Sequence, residues 1–186
     1  MDDSELRAQL ESHHRESYGW ALGCCRRNPA DAESVLQIAY LKVLQGKARF
    51  DGRASFKTWL FAVIRMTAID RRRKQFFRGL RLIADQDINN HVDANEKADD
   101  GVYRTEMQAL FRRALAVLPK RQREVLLLVF YHDLSLAEAA AVMRVSIGSA
   151  RTHYDRGKKS LKTWLTESRV FDESGLGREE NREALS

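Results

Sequence analysis

The sequence predicts an all-α protein: two small helical domains joined by a flexible acidic linker, the C-terminal one containing a helix-turn-helix. Three observations carry this reading. Apolar residues recur at spacings of three and four, while the alternation expected of strands is nearly absent. Charge falls in blocks, with a net +5 over residues 1–77, −3 over 78–103, +7 over 104–166 and −3 over 167–186. The stretch from Ser135 to Leu165 reads as two short helices around a tight turn, the second apolar on one side and basic on the other.

Taken in order, Leu6, Leu10, Tyr18, Ala21, Leu22 and Cys25 predict a first helix or helix pair ending near Asn28 and Pro29. Asp31 is expected to cap the next helix, with Val35, Leu36, Ala39 and Val43 turned inward. Gln45 to Ser55 holds Gly46 and Gly52 among Lys47, Arg49 and Arg53 and reads as a basic loop. Phe56, Trp59, Leu60, Val63, Ile64 and Thr67 follow at spacings of three, one, three, one and three, an amphipathic helix. Residues 84–102, rich in Asp and Asn with almost nothing to bury, read as linker.

Helical pattern resumes with Met107, Leu110, Phe111, Ala114, Leu115 and Leu118. Pro119 ends that helix or opens the next, to which Val125, Leu126, Leu128, Val129 and Phe130 belong. Ser135 and Glu138 make a capping box, and the alanine-rich run to Met143 lets another helix cross closely. Arg144 and Val145 make the turn, strained at Arg144 if its φ is positive, and Ser146 caps the last helix. The apolar seam of that helix is Ile147, Ala150, Tyr154, Leu161, Trp164 and Leu165, and Ser149, Arg151, Thr152, His153, Asp155, Arg156, Lys158 and Lys159 are left for its other sides. The tail from Glu167 to Ser186 is polar and glycine-containing, the composition of a disordered segment.

Neither unit is large enough to bury a deep substrate cavity, so function is expected on surfaces. Two basic blocks suit a polyanionic partner, because each phosphate neutralised by Lys or Arg releases counterions; solubility alone also accounts for a pI near 9.5. Cys24 and Cys25 are adjacent, which rarely suits a disulfide or a shared metal. No run approaches the ~18 apolar residues of a membrane span, and the acidic N-terminus does not resemble a secretory signal, so a cytoplasmic location is expected. The five histidines show no HExxH spacing and there is no GxxxxGK[ST] loop. No enzymatic activity, cofactor, metal or small-molecule substrate is therefore expected.

Three blocks carry a family resemblance: Asp31-Ala32-Glu33 with Gln37; Phe50-Asp51-Gly52 through Phe56-Lys57-Thr58-Trp59-Leu60 to Ala68-Ile69-Asp70 and the arginines after it; and Leu118-Pro119 with Arg121-Gln122-Arg123-Glu124-Val125, then Leu134-Ser135. In this order and around a linker, they make most of residues 15–166 resemble the extracytoplasmic function sigma factors, two-domain promoter-recognition subunits of bacterial RNA polymerase. The resemblance implies that residues 1–77 bind core polymerase and read and open the minus-ten element, that 78–103 link, and that 104–166 read the minus-thirty-five element. The chain departs from the family pattern at Ser34, Ile38 and Met66.

By that resemblance Asp31, Glu33, Gln37, Tyr40 and Leu41 dock on the clamp helices of the polymerase large subunit. Lys47, Arg49, Phe50, Asp51 and Arg53 meet the minus-ten bases; a basic, glycine-containing loop can wrap an extruded base on which Phe50 stacks. Arg65, Arg71, Arg72, Arg73 and Lys74 leave the apolar seam and can hold phosphates, or form a solvated helix end favoured by the dipole; Trp59 is assigned to the core. Ser149, Arg151, Thr152, His153, Asp155, Arg156 and Lys158 are the minus-thirty-five candidates, Arg being suited to grip guanine bidentately, while His153 either reads a base or is merely exposed. The implied partners are core RNA polymerase, promoter DNA in double- and single-stranded form, and an anti-sigma factor, soluble or membrane-anchored. The competing reading is an autonomous helix-turn-helix regulator of duplex operators. The loop from Gln45 to Ser55 favours the sigma reading, since such a regulator has no need of a single-strand reader.

Overall fold

A computed structural model describes residues 2–85 and 113–167, and all regular structure among them is helical. In the N-terminal unit, α1 (Asp3–Ser12) begins at Asp2, whose carboxylate accepts the Glu5 amide at 2.8 Å. Next comes α2 (His14–Cys24), then α3 (Pro29–Leu44). The expected cap of α3 is corrected by one turn: Asn28 Oδ1 accepts the Asp31 amide at 3.1 Å, and Pro29 takes the first helical position, where its missing N–H costs nothing. Asp31 instead sits in the first turn, where the helix dipole favours a carboxylate.

The long α4 (Phe56–Asp85) runs past the boundary expected at residue 77. Its continuation from Gln75 is built of Phe, Leu, Ala, Arg and Ile, with only Gly79 opposing helix. The first two thirds of α4 close the core of this unit against α2 and α3, burying Trp20, Ala21, Val35, Leu36, Ala39, Val43, Leu60, Phe61 and Ile64. Trp20 cannot be buried with an idle indole N–H, and it donates to the Phe61 carbonyl at 3.0 Å. Lys42 ties α3 to α4 through Thr67 at 3.1 Å and Asp70 at 3.4 Å.

In the C-terminal unit, helical residues 113–116 and Leu118-Pro119 lead into α5 (Lys120–Leu126), which loosens to a π-helical turn over Leu127–Tyr131. The helix-turn-helix follows as α6 (Leu136–Met143) and α7 (Ile147–Glu167). The capping box is present: the Glu138 amide donates to Ser135 Oγ at 3.3 Å, and the Ser135 amide donates to Glu138 Oε2 at 3.0 Å. Arg144 ends α6 at φ 53° and ψ 51°, the left-handed conformation that glycine adopts most readily. Ser146 Oγ then accepts the Ser149 amide at 3.1 Å and starts α7.

The seam of α7 differs from expectation at two positions. Ile147 is 52% exposed, because at the first turn the helix has not yet reached the core. Gly157, which the apolar pattern passed over, is buried, and a Cβ there would lie 3.0 Å from Leu126 Cδ1 and 3.2 Å from Gln122 Cβ. The seam is therefore Ala150, Gly157 and Leu161, flanked by the half-buried Tyr154, Trp164 and Leu165, with α7 crossing α5 closely at the glycine.

The two units pack on each other, α6 against α4 and the π-helical turn against α2. Most of the expected linker, the helical positions Met107, Leu110 and Phe111, and the tail beyond Glu167 lie outside the described residues.

Candidate nucleic-acid interface

On α7, the residues facing away from α5 and α6 form a cationic face. Arg151, Thr152, Asp155, Arg156 and Lys158 are exposed and His153 is half-buried. Ser149 is exposed but engaged with the cap, its hydroxyl accepting from Ser146 Oγ at 2.9 Å. Thr152 donates back to the Gly148 carbonyl at 3.0 Å, leaving its oxygen lone pairs outward. Lys158 lies with its ammonium 5.2 Å from the centre of the Tyr154 ring, a cation–π contact that directs it along the helix. Tyr154 in turn stacks on Phe130 at 5.8 Å between ring centres.

The loop between α3 and α4 turns at Gly46 and Gly52, whose φ values of 67° and 73° explain glycine at both. Lys47 and Arg49 are exposed. Asp51 and Arg53 pair with each other, Arg53 Nε lying 3.4 Å from Asp51 Oδ2 and its amide donating to Asp51 Oδ1 at 3.2 Å. Phe50 is half-buried, its ring 5.5 Å from that of Phe56 and 5.4 Å from that of Trp59. In this arrangement Phe50 anchors the loop to α4 rather than standing free to stack on a base. Trp59 belongs to the same aromatic cluster, as expected of a core position.

On α4, Arg65 is placed elsewhere than expected: its side chain is 4% exposed and its Nη2 lies 3.2 Å from Glu124 Oε2 of α5, whose side chain is 5% exposed. A guanidinium so enclosed reaches no phosphate. Arg71 pairs with Asp31 at 3.0 Å. Arg72, though exposed, donates to the Cys24 carbonyl at 3.0 Å, and Arg73 and Lys74 are exposed. Along α3, Glu33, Gln37 and Leu41 are exposed at a spacing of four, with Leu41 at 53%. Tyr40 is half-buried, its hydroxyl 3.4 Å from His14 Nδ1 and its pKa raised by burial.

The structure thus brings together a helix-turn-helix with a cationic second helix on one unit, and a basic loop, a basic helix segment and a mixed apolar-polar stripe on the other. Among the described residues there is no group of three or more His, Cys, Asp and Glu that could hold a metal, and no helix is long and apolar enough to cross a membrane. The family model described as Sigma-70 region 2 matches residues 10–76, and the one described as Sigma-70, region 4 matches residues 108–161. A curated relative, the ECF RNA polymerase sigma factor SigX of Bacillus subtilis, is 30% identical over 82% of this chain and 79% of its own length. The chain belongs to the extracytoplasmic function sigma factors. The ECF sigma factor SigF of Caulobacter vibrioides is 37% identical over 72% of this chain and 70% of its own. Two solved structures share the fold. The sigma factor RpoE in complex with the anti-sigma factor NepR from Bartonella quintana has a TM-score of 0.65 and 23% identity, over 87% of this chain and 97% of that one. CnrH in complex with the cytosolic domain of CnrY has a TM-score of 0.60 and 20% identity, over 89% and 90%.

Sequence reasoning missed several surface residues of this sigma factor. Leu44, 42% exposed, extends the α3 stripe three residues beyond Leu41, and the spacing carried that signal. Lys162 extends the cationic face of α7 and is exposed; it follows Lys158 by one turn. Nothing in the spacing pointed to Glu124, His132 and Thr58, which meet Arg65, Phe61 and Glu138 respectively across the boundary between the two units.

Proposed function

We propose that this sigma factor docks on core RNA polymerase through α3 and reads promoters at two places, the minus-ten element with residues of the N-terminal unit and the minus-thirty-five element with α7. The domain limits are those of the sequence reading, 1–77 and 104–166, adjusted for the continuation of α4. The observation that carries the reading is the division of labour between units: a capped helix-turn-helix with an exposed cationic face on one, and a glycine-turned basic loop beside an exposed stripe on the other.

Arg151, Thr152, Asp155 and Arg156 meet base edges, with Ser149, His153, Lys158 and Lys162 nearer phosphate. Lys47, Arg49 and Arg53, with Arg72 and Arg73 on α4, meet the opened strand. Asp51 orders the loop by holding Arg53. Glu33, Gln37, Leu41 and Leu44 form the docking stripe, with Tyr40 beside it. Asp31, already paired with Arg71, fixes α3 against α4. The two structural relatives are each seen with a protein partner, one of them named an anti-sigma factor, and by analogy an anti-sigma factor holds this chain inactive. The protein works as a subunit that positions another enzyme.

Run-off transcription with purified core polymerase and a genomic fragment library tests this. Discrete products that require the protein support the reading. Strong binding of the isolated protein to duplex DNA, with no effect on initiation, would instead establish an autonomous regulator.

A further inference from the structure

We propose that a cationic cluster where α2, α4 and α5 meet is a binding site for linked phosphates, taken from a free polyphosphate anion. The cluster surrounds a narrow crevice lined by Cys24, Arg65 and Arg72 on one side and by Lys120 and Glu124 of α5 on the other. Arg26 follows Cys24 by two positions, and Arg121 and Arg123 lie between Lys120 and Glu124 in the chain. Among the described residues, Glu124 is the one carboxylate acting on Lys120 and Arg123. It is already engaged by Arg65, whose Nη2 and Nε lie 3.2 and 3.4 Å from Oε2. Lys120 at 3.8 Å and Arg121 at 3.7 Å are beyond hydrogen-bond reach of the same carboxylate. One negative charge is thus set against Arg26, Arg65, Arg72, Lys120, Arg121 and Arg123.

The surplus acts on its own members. Burial, opposed by Glu124 and helped by Arg72 and Arg65, holds the Lys120 pKa below that of an ordinary lysine. Burial and the charges of Arg26 and Arg72, against Glu124, lower that of Arg123. The guanidinium groups are fixed by neutral acceptors: Arg72 Nη2 donates to the Cys24 carbonyl at 3.0 Å and Arg123 Nη1 to the Ala116 carbonyl at 3.2 Å. Each keeps further N–H donors for another oxygen. Arg26 and Arg27 stand in left-handed backbone at φ 52° and 61°, so cationic side chains occupy a turn that glycine or asparagine would make with less strain. Like charges gathered on strained backbone and held by carbonyls cost stability, and they are what a site for an anion requires.

The shape of the cluster selects the class of anion. Phosphate oxygens match guanidinium forks and an ammonium. A single phosphate group carries about two charges near neutral pH and meets only part of a cluster that runs from the end of α2 past α4 to α5. Linked phosphates meet it along its length. The crevice is too narrow to admit them, so the anion lies across its mouth. Arg72 is shared with the strand-binding segment proposed above, whereas Arg26, Lys120 and Arg123 have no part in it.

Isothermal titration calorimetry of the full chain with sodium tripolyphosphate, at one fixed salt concentration, tests the site. Arg26→Gln/Arg123→Gln and, separately, Lys120→Gln are each expected to weaken binding about tenfold or more, as loss of charge-assisted contacts to phosphate does. Lys158→Gln/Lys162→Gln removes the same charge from α7 as the first variant removes from the cluster, and is expected to leave the affinity within about twofold. Circular dichroism melting checks that each variant is folded. Inorganic monophosphate is expected to bind the parent chain about tenfold more weakly than tripolyphosphate. Absence of tripolyphosphate binding, or an equal loss in the α7 variant, overturns the site. Equal affinity for monophosphate overturns its assignment to linked phosphates. A short single strand of non-promoter DNA, titrated into the same chains, separates the two sources of phosphate. Strand binding untouched by Arg26→Gln/Arg123→Gln supports the free anion; strand binding tighter than that of tripolyphosphate and lost in that variant overturns it in favour of nucleic acid.

Discussion

At the scale of single residues, the structure holds Arg26, Arg27, Asp133 and Arg144 in left-handed backbone and encloses a titratable imidazole. Arg144 holds a left-handed backbone that costs an L-residue about 1–2 kcal/mol. Arg144→Gly is expected to stabilise the protein by about 1 kcal/mol, less than the full relief because glycine is also freer when unfolded; a higher melting temperature checks it. His132 is enclosed by Trp20, Phe61 and Tyr131. Burial, helped by the Lys57 ammonium and opposed by Glu16 and Asp133, pushes its pKa down from 6.5 to about 4. The folded state therefore favours the neutral ring, and its contribution is complete above pH 6.5 and lost as pH falls towards 4. Between pH 7 and pH 5 the loss is about 2 kcal/mol. Urea unfolding at the two pH values is expected to show this in the parent protein and a shallower dependence in His132→Gln, where the enclosed imidazole is absent.

At the scale of elements, what was legible in the sequence followed from local chemistry. The capping box at Ser135, the turn at Arg144 and the cap at Ser146 depend on residues within three or four positions of each other, and each is where the sequence placed it. The miss at α3 was also local: Asn28 and Asp31 are both good caps, and the proline between them decides in favour of Asn28. Gly157 was illegible for a different reason, since a glycine leaves no apolar mark and its place in the seam is set by Leu126 and Gln122 on another helix. Gly157→Val forces α7 away from α5, and a loss of about 1–3 kcal/mol is expected from overpacking, read as a lower melting temperature. On the opposite face of α7, Arg151→Ala or Arg156→Ala removes no packing. Either is expected to weaken recognition of the upstream element by about 1–3 kcal/mol, with polymerase binding and melting temperature unchanged; footprinting and a pull-down on core enzyme read the two separately.

At the scale of the whole molecule, Phe50 and Arg65 show where a sequence stops informing. Both are of the right type for nucleic acid, yet Phe50 is drawn into Phe56 and Trp59, and Arg65 is enclosed by a carboxylate 59 positions away. The Arg65 partner is too distant in sequence to leave a periodicity, and the partners of Phe50, six and nine positions on, lie across a loop that breaks it. The same pair makes a prediction about the assembly of the two units. Glu124→Ala leaves a buried guanidinium without its counter-charge and is expected to cost the packed arrangement about 3–5 kcal/mol, whereas Arg65→Met with Glu124→Leu removes both charges and is expected to cost far less. Comparison of protease resistance among the single and double variants checks this.

The π-helical turn at Leu127–Tyr131, in which the His132 amide reaches back five residues to the Leu127 carbonyl at 3.2 Å, acts as a one-residue insertion in α5. Winding the same residues as regular α-helix, with none removed, would instead carry everything downstream about one residue further round the axis, roughly 100°. The imidazole would then miss its aromatic niche while α6 and α7 kept their own caps. Phase along this short stretch, and not the chemistry of any one side chain, sets the direction from which α7 faces the rest of the protein.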